Sequence, residues 1–328
     1  DAAGAISNAL IDSYSFSNDT YPVGIHKVTG TVYAIFYAAT SVYVGIKTIN
    51  IADDGTMTPD PTISTFTGPT ASYVLRGPVE KISTNYFVAP YQKSNDCHIV
   101  TFSISSDGIT IAIADDHTAS KLANYSSFPA HLEYYDSNIW VLAANGTYST
   151  GGRFAIVQTF TIVAGVVSEP NATPWLIDSG ASGITAWRVA VKRMNSTAVF
   201  ALTYNEPVTS TPKMATVSVN ANGTYGSIIA TSTGTPGTYF QEIIYVDGSI
   251  YVGSYTSPAQ SGGVGYLKTF TITDAGAIGS VISTRGLTAG LTLGESTVFL
   301  VTGQIFCLAC SMDSQAFEVD SCSIGLVG

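Results

Sequence analysis

The stretch Thr269-Phe270-Thr271-Ile272, followed by the turn Thr273-Asp274-Ala275-Gly276, decides how the rest of the chain is read. The same short segment returns as TINI at Thr48–Ile51, TFSI at Thr101–Ile104, TFTI at Thr159–Ile162, TVSV at Thr216–Val219 and SCSI at Ser321–Ile324. The steps between first residues are 53, 58, 57, 53 and 52. Within a copy, Phe270 and Ile272 fall on one face of a strand and Thr269 and Thr271 on the other. A period of that length built from strand formers marks a propeller or solenoid.

Working outward, each copy sits in the same frame. A first strand ends in a tight turn: Val28–Gly30, Ser83–Asn85, Asp136–Asn138, Met194–Ser196, Val246–Gly248 and Val301–Gly303. Gly and Asn tolerate positive φ, so such turns between apolar runs are hairpin signals. The most apolar run follows: VYAIFY at Val32, YFVAPY at Tyr86, IWVLAA at Ile139, VFALTY at Val199, IYVGSY at Ile250 and IFCLAC at Ile305. A continuous apolar run of this length reads as a strand buried on both faces. After the TFTI-type strand, turns such as SSDG, NANG and DAG lead to a fourth, more polar strand.

The expected fold is therefore all-β, a six-bladed β-propeller of four-stranded antiparallel blades forming a single domain over residues 1–328. Blades are expected at about 23–70, 75–120, 130–180, 185–235, 238–287 and 291–328. The opening Asp1-Ala2-Ala3-Gly4-Ala5-Ile6 matches Asp274-Ala275-Gly276-Ala277-Ile278 with one extra alanine. Residues 1–17 are thus expected to supply the fourth strand of the last blade, in the same molecule or in a neighbour. Closure would remove the edges that otherwise template aggregation.

Composition narrows the function classes. Apolar residues make up 45% of the chain, enough for a large core, whereas charged residues make up 11%, against an average of about 25%. A net charge of −10 with 13 scattered basic residues argues against a nucleic-acid partner, which needs clustered cations. No apolar run is long enough for a transmembrane helix. The start at Asp1 reads as a processed N-terminus, and the Ser/Thr/Gly/Tyr-rich surface suits an extracellular or cell-surface location.

Four cysteines fit no zinc spacing. Cys307-x-x-Cys310 lies within a strand, where residues three apart face opposite ways and cannot share a metal. A hairpin turning near Ser314-Gln315 would set Cys307 opposite Cys322, the expected disulfide, with free buried thiols as the alternative; Cys97 and Cys310 are left unassigned.

The segment Ile250–Ile278, IYVGSYTSPAQSGGVGYLKTFTITDAGAI, resembles the blades of lactonase-like propellers and of YVTN-type surface-layer propellers. The resemblance covers the blade grammar of all six repeats and implies a propeller fold and an extracellular setting. Lactonase-like propellers usually have seven blades and catalytic His, Arg and Glu. Here there are six repeats, and those catalytic residues match no motif of this chain.

Candidate sites follow from the frame. First strands of propeller blades line the central channel, and here they carry His26, Lys27, Glu80, Lys81, Glu133, Lys192, Arg193 and Glu242. Such a ring could hold a ligand or an acid–base pair, or simply give a hydrated channel polar walls. His26, His98, His117 and His131 have no metal-ligand spacing, so neither a metal nor a cofactor is expected. Asp53-Asp54 and Asp115-Asp116-His117 read as polar turn residues rather than cation ligands. No Walker loop, GxSxG elbow or dinucleotide fingerprint is placed on a strand–helix junction. Six N-x-S/T sequons, at Asn18, Asn124, Asn145, Asn171, Asn195 and Asn222, are expected to carry N-linked glycans. The resulting expectation is a non-enzymatic extracellular unit that self-associates into a surface layer or fibre. The alternatives are a lactonase- or lyase-like enzyme using the channel charges, and a glycan-binding module using loop aromatics such as Tyr125, Tyr148, Trp175 and Tyr225.

Overall fold

The structure, a computed structural model, describes residues 20–39, 43–53, 56–58, 65–67, 73–75, 79–93, 96–119, 128–147, 153–171, 173–180, 189–195, 197–205, 211–234, 239–256, 265–286, 293–302, 305–312 and 317–323. All regular structure among them is β. The described residues divide between two compact units, one within Asp1–Leu132 and Phe160–Glu169, the other within Glu133–Thr159 and Pro170–Gly328. The expected closing strand, residues 1–17, lies outside the described residues.

The first sheet comprises β1 (Thr20–Thr29), β2 (Val32–Ala39), β3 (Tyr43–Ile51), β4 (Met57–Thr58) and β5 (Thr65–Thr67), with β4 and β5 both paired to β3. The second comprises β6 (Tyr73–Leu75), β7 (Glu80–Lys81), β8 (Tyr86–Lys93), β9 (Asp96–Ile104) and β10 (Ile111–Thr118), with β6 and β7 both on β8. The third comprises β11 (Phe128–Asp136), β12 (Ile139–Thr147), β13 (Arg153–Val163), β14 (Val166–Ser168) and β15 (Trp175–Gly180). Each of these five-stranded sheets is a four-stranded blade with one strand in two pieces. In the third, Pro170 and Pro174 lie between β14 and β15, and a residue without an N–H cannot continue the ladder.

Two sheets have four unbroken strands. One is β16 (Val189–Arg193), β17 (Val199–Asn205), β18 (Pro212–Val219) and β19 (Tyr225–Thr233); the other is β20 (Tyr239–Asp247), β21 (Ile250–Thr256), β22 (Gly265–Ile272) and β23 (Ile278–Gly286). Three further strands, β24 (Leu293–Thr302), β25 (Ile305–Met312) and β26 (Phe317–Ser323), make the last sheet among the described residues. The pairing of β25 with β26 sets Cys307 opposite Ser321, and Phe306 opposite Cys322. The register is one residue away from the Cys307–Cys322 alignment expected from the sequence.

Burial follows the sequence pattern. Every residue of β17 is buried, as expected of a second strand covered on both faces, while β19 and β23 are largely exposed. Within each unit the core lies between successive sheets. In the first unit Phe36, Phe87 and Phe102 form it, with Phe36 centred 5.4 Å from Phe87 and 6.0 Å from Phe102. In the second unit Val141, Phe200, Leu202 and Val217 share one cluster, and Met194, Tyr251, Phe270 and Ile272 another. The turns between third and fourth strands are alike: the N–H of Gly108, Gly223 and Gly276 donates to the carbonyl three residues back at 2.8 Å, with φ of +76°, +82° and +90°. Only glycine adopts that conformation without cost, which explains the recurring D-G, N-G and A-G signals.

Candidate functional site

Among the described side chains, His26, Lys81, Glu133, Lys192 and Arg193 of the first strands are held by backbone groups and by one another. In the first unit, His26 donates through Nε2 to the carbonyl of Val79 at 2.7 Å, with its ring centred 6.0 Å from both Phe36 and Phe87. Lys81 donates to the carbonyls of Lys27 and, at 3.0 Å, Val28. Burial draws the His26 pKa below its ordinary 6.5; the Val79 carbonyl opposes this and the Lys81 charge adds to it. The folded protein therefore binds fewer protons at His26 than the unfolded chain does. Its contribution is complete above pH 6.5 and declines as the pH falls through the folded-state value. A His26→Gln variant is expected to show a shallower fall in melting temperature between neutral and mildly acidic pH, read by thermal unfolding across a buffer series.

In the second unit, Glu133 pairs with Lys192 at 3.0 Å and accepts the Arg193 backbone N–H at 3.3 Å. Arg193 donates through Nε to the Thr197 carbonyl at 2.9 Å and through a terminal nitrogen to the Tyr135 carbonyl, with its guanidinium 5.1 Å from the Tyr135 ring. Glu242 lies in β20 opposite Ser254. One register position recurs across the sheets: Lys27 faces Tyr33, Lys81 faces Phe87, Arg193 faces Phe200 and Tyr245 faces Tyr251. The Lys27 and Lys81 ammonium groups stand 5.8 and 5.9 Å from those rings, within cation–π range. The structure thus gathers His26 with Lys81 in one unit, and Glu133 with Lys192 and Arg193 in the other.

A second recurring set escaped the sequence reading. The first residue of the TFTI-type strand was expected only to lie opposite its apolar neighbours. In four successive sheets its hydroxyl donates to the carbonyl of the next sheet's turn glycine: Thr48 to Gly108 at 2.8 Å, Thr101 to Gly165, Thr159 to Gly223 at 2.7 Å, and Thr216 to Gly276 at 2.6 Å. All four threonines are buried. The repeat itself was the available signal, since a hydroxyl residue recurs at a position that burial would otherwise assign to an aliphatic one. Thr101→Val is expected to cost about 1–3 kcal/mol, the penalty for a buried acceptor left unmet, and Thr101→Ser markedly less. Denaturant unfolding of the two variants checks this.

The acidic clusters also have structural partners. Asp115 accepts the N–H of Val167 at 2.8 Å, covering a donor on the short strand β14. Asp116 accepts from Tyr91 and, at 2.9 Å, from His98 Nδ1; His117 meets Glu169 at 3.2 Å and stands edge-on to Phe160. Among the described residues no group of three or more metal-ligating side chains forms. Of the aromatics expected in loops, Trp175 instead opens β15 and Tyr225 opens β19, where they stack at 5.5 Å and the Tyr225 hydroxyl stands 3.0 Å from the Thr173 carbonyl and 3.2 Å from Gln158 Oε1; Tyr125 and Tyr148 lie outside the described residues. Burial, aided by Tyr245 and Asp274, pushes the Tyr251 phenol up to about 12.

The sequons differ in their surroundings. Asn171 is half-buried with its amide nitrogen donating to Thr159 Oγ1 and, at 2.8 Å, to the Gly223 carbonyl. Asn195 has φ of +31° in the turn between β16 and β17 and donates to Asp274 at 3.3 Å. Asn222 is exposed in the turn before β19. Asn145 belongs to the backbone of β12, whereas Asn18 and Asn124 lie outside the described residues. Cys97 is buried in β9. No helix among the described residues is long and apolar enough to cross a membrane.

No family model matches the chain, and no curated protein does either. Solved structures do. A protein from Lactobacillus plantarum is 13% identical with a TM-score of 0.52, covering 92% of this chain and 84% of that one. A protein of unknown function from Dyadobacter fermentans is 10% identical with a TM-score of 0.52, covering 88% and 89%. An endo-arabinase from Bacteroides thetaiotaomicron, 10% identical over 76% of this chain and 93% of its own, reaches a TM-score of only 0.44, too low to bear on the argument. At these identities the likeness concerns fold alone. With the antiparallel sheets described above, it assigns the chain a β-propeller-like fold.

Proposed function

We propose that this chain is a six-bladed β-propeller that serves as a non-enzymatic, extracellular, glycosylated building unit of a surface layer or fibre. The observation that carries the reading is the use made of the first-strand charges. Lys81 and Arg193 donate to backbone carbonyls of a preceding first strand, and Glu133 holds Lys192 together with the Arg193 backbone. Groups tied in this way brace the fold, whereas a catalytic acid–base pair must have a face turned to substrate. The four-membered threonine–glycine series supports the same reading, since it stiffens the unit against deformation.

The sixth blade is completed by residues 1–17, from the same molecule or from the next one along a polymer. The match of Asp1–Ile6 to Asp274–Ile278 places Gly4 where Gly276 stands, and Gly276 is the acceptor for the preceding sheet's threonine. Electron microscopy of the native material, with sedimentation of the purified chain, tests the assembly claim. Ordered layers or fibres support it. Discrete monomers that hydrolyse a lactone, or that hold a metal on the first strands, would overturn it.

A further inference from the structure

Three of the six sequons have described side chains, and they are not equivalent. Asn220 to Thr224 form the tight turn between β18 and β19, with the Asn220 N–H on the Thr224 carbonyl and the Gly223 N–H on the Asn220 carbonyl, both at 2.8 Å. At its tip the side-chain carbonyl of Asn222 accepts twice from Thr224, from the backbone N–H at 3.1 Å and from the hydroxyl at 2.7 Å. Asn220 in turn donates to the Thr224 hydroxyl at 2.9 Å, which orients it. The Asn222 amide nitrogen has no partner among the described residues and the side chain is exposed.

Asn171 is the opposite case. Its amide nitrogen serves Thr159 and the Gly223 carbonyl, so both N–H groups are engaged. A Cβ on Gly223 would stand 3.2 Å from the ring of Pro170, next to Asn171, so this segment lies directly under the turn. A sugar on Asn171 would remove one of those donors and wedge a bulky polar group beneath Gly223. At Asn195 the sequon hydroxyl, that of Thr197, donates to Met194 at 2.7 Å and accepts from the Val199 N–H at 3.1 Å. It is therefore turned away from its asparagine, whose own nitrogen donates to Asp274.

We propose that Asn222 is a glycan acceptor of this chain and that Asn171 is the brace presenting its turn, not an acceptor; Asn195 is likewise unmodified. The proposal rests on the reading of an exported glycoprotein given above. In the transfer, a base removes one Nδ2 proton and the nitrogen attacks the anomeric carbon of a sugar activated as a lipid-linked or nucleotide-linked phosphate ester. The C–N bond forms as the C–O bond to phosphate breaks, and the phosphate leaves with the electron pair. Negative charge gathers on Asn222 Oδ1 as the proton departs, and the two Thr224 donors are already aimed there.

The test is peptide mass spectrometry of the protein from its native source, with the variants Asn222→Gln, Thr224→Ala, Thr224→Ser and Asn171→Gln expressed in the same host. The expected result is a hexose-containing adduct on the Asn222 peptide, absent in Asn222→Gln and Thr224→Ala and kept in Thr224→Ser. Asn171→Gln should leave the adduct in place and lower the melting temperature, whereas Asn222→Gln should leave that temperature unchanged. An Asn222 that is bare, or only converted to aspartate, while Asn171 or Asn195 carries sugar would overturn this assignment and spare the glycoprotein reading. Bare asparagines at all six sequons would overturn both.

Discussion

Replacing Gly165 by valine is expected to lower the stability of the fold by about 3 kcal/mol, a sum of two separable costs. The first is conformational: Gly165 has φ of +83°, where an L side chain costs roughly 1–2 kcal/mol. The second is steric, because a Cβ there would stand 2.7 Å from the Tyr86 ring and 3.0 Å from Ala114 Cβ. Gly248→Ala separates the costs: its φ is +54°, yet nothing lies within 4 Å of the added carbon. That variant should lose only the conformational part. Thermal or urea unfolding that found the two substitutions equal would show that close packing of the turn against the neighbouring sheet contributes nothing.

Phe200→Ala is expected to cost about 3–5 kcal/mol, the range for emptying an aromatic site in a packed interior. Phe200 is fully buried in β17, in the cluster that includes Val141, Val191, Leu202 and Val217. Tyr135 meets it edge-on at 5.5 Å, and Arg193 faces it in the register while stacking over Tyr135. The cavity would therefore also loosen the Arg193 bond to the Tyr135 carbonyl. Phe200→Leu, which keeps most of the volume, should cost far less. Ile282→Ser supplies the contrast: Ile282 is 57% exposed in β23, and its loss should move stability by less than about 0.5 kcal/mol. Urea midpoints for the three variants decide whether burial, rather than apolar character, sets the ranking.

The repeat of the TFTI-type segment is a local property of the chain, as are the glycine and asparagine turns and the doubly apolar second strands. Residues two apart on a strand share a face, and positive φ needs particular residues, so these elements can be read from short windows. That is why the strands at Val199–Asn205 and Ile250–Thr256 appear where the apolar runs lie. The split of a strand into β14 and β15 was missed because two prolines in a turn-rich segment look like an ordinary loop. The register of Cys307 was missed by one residue because a hairpin's pairing depends on where its turn closes, and the composition of the turn does not settle that.

The candidate site was legible as a list of charges on first strands and illegible as chemistry. Nothing in the spacing of Lys81 or Arg193 reveals that each donates to a carbonyl more than fifty residues away. Sequence alone determined the all-β class, the repeat and the places of the turns, because backbone preference and strand periodicity act between near neighbours. Only the tertiary structure decided which threonine meets which glycine, which charges are tied down, and which of two N-x-T asparagines, Asn171 and Asn222, is a half-buried brace and which an exposed tip. Those distinctions arise where segments remote in the chain are pressed together, and a hydrogen bond's partner is then set by packing rather than by spacing.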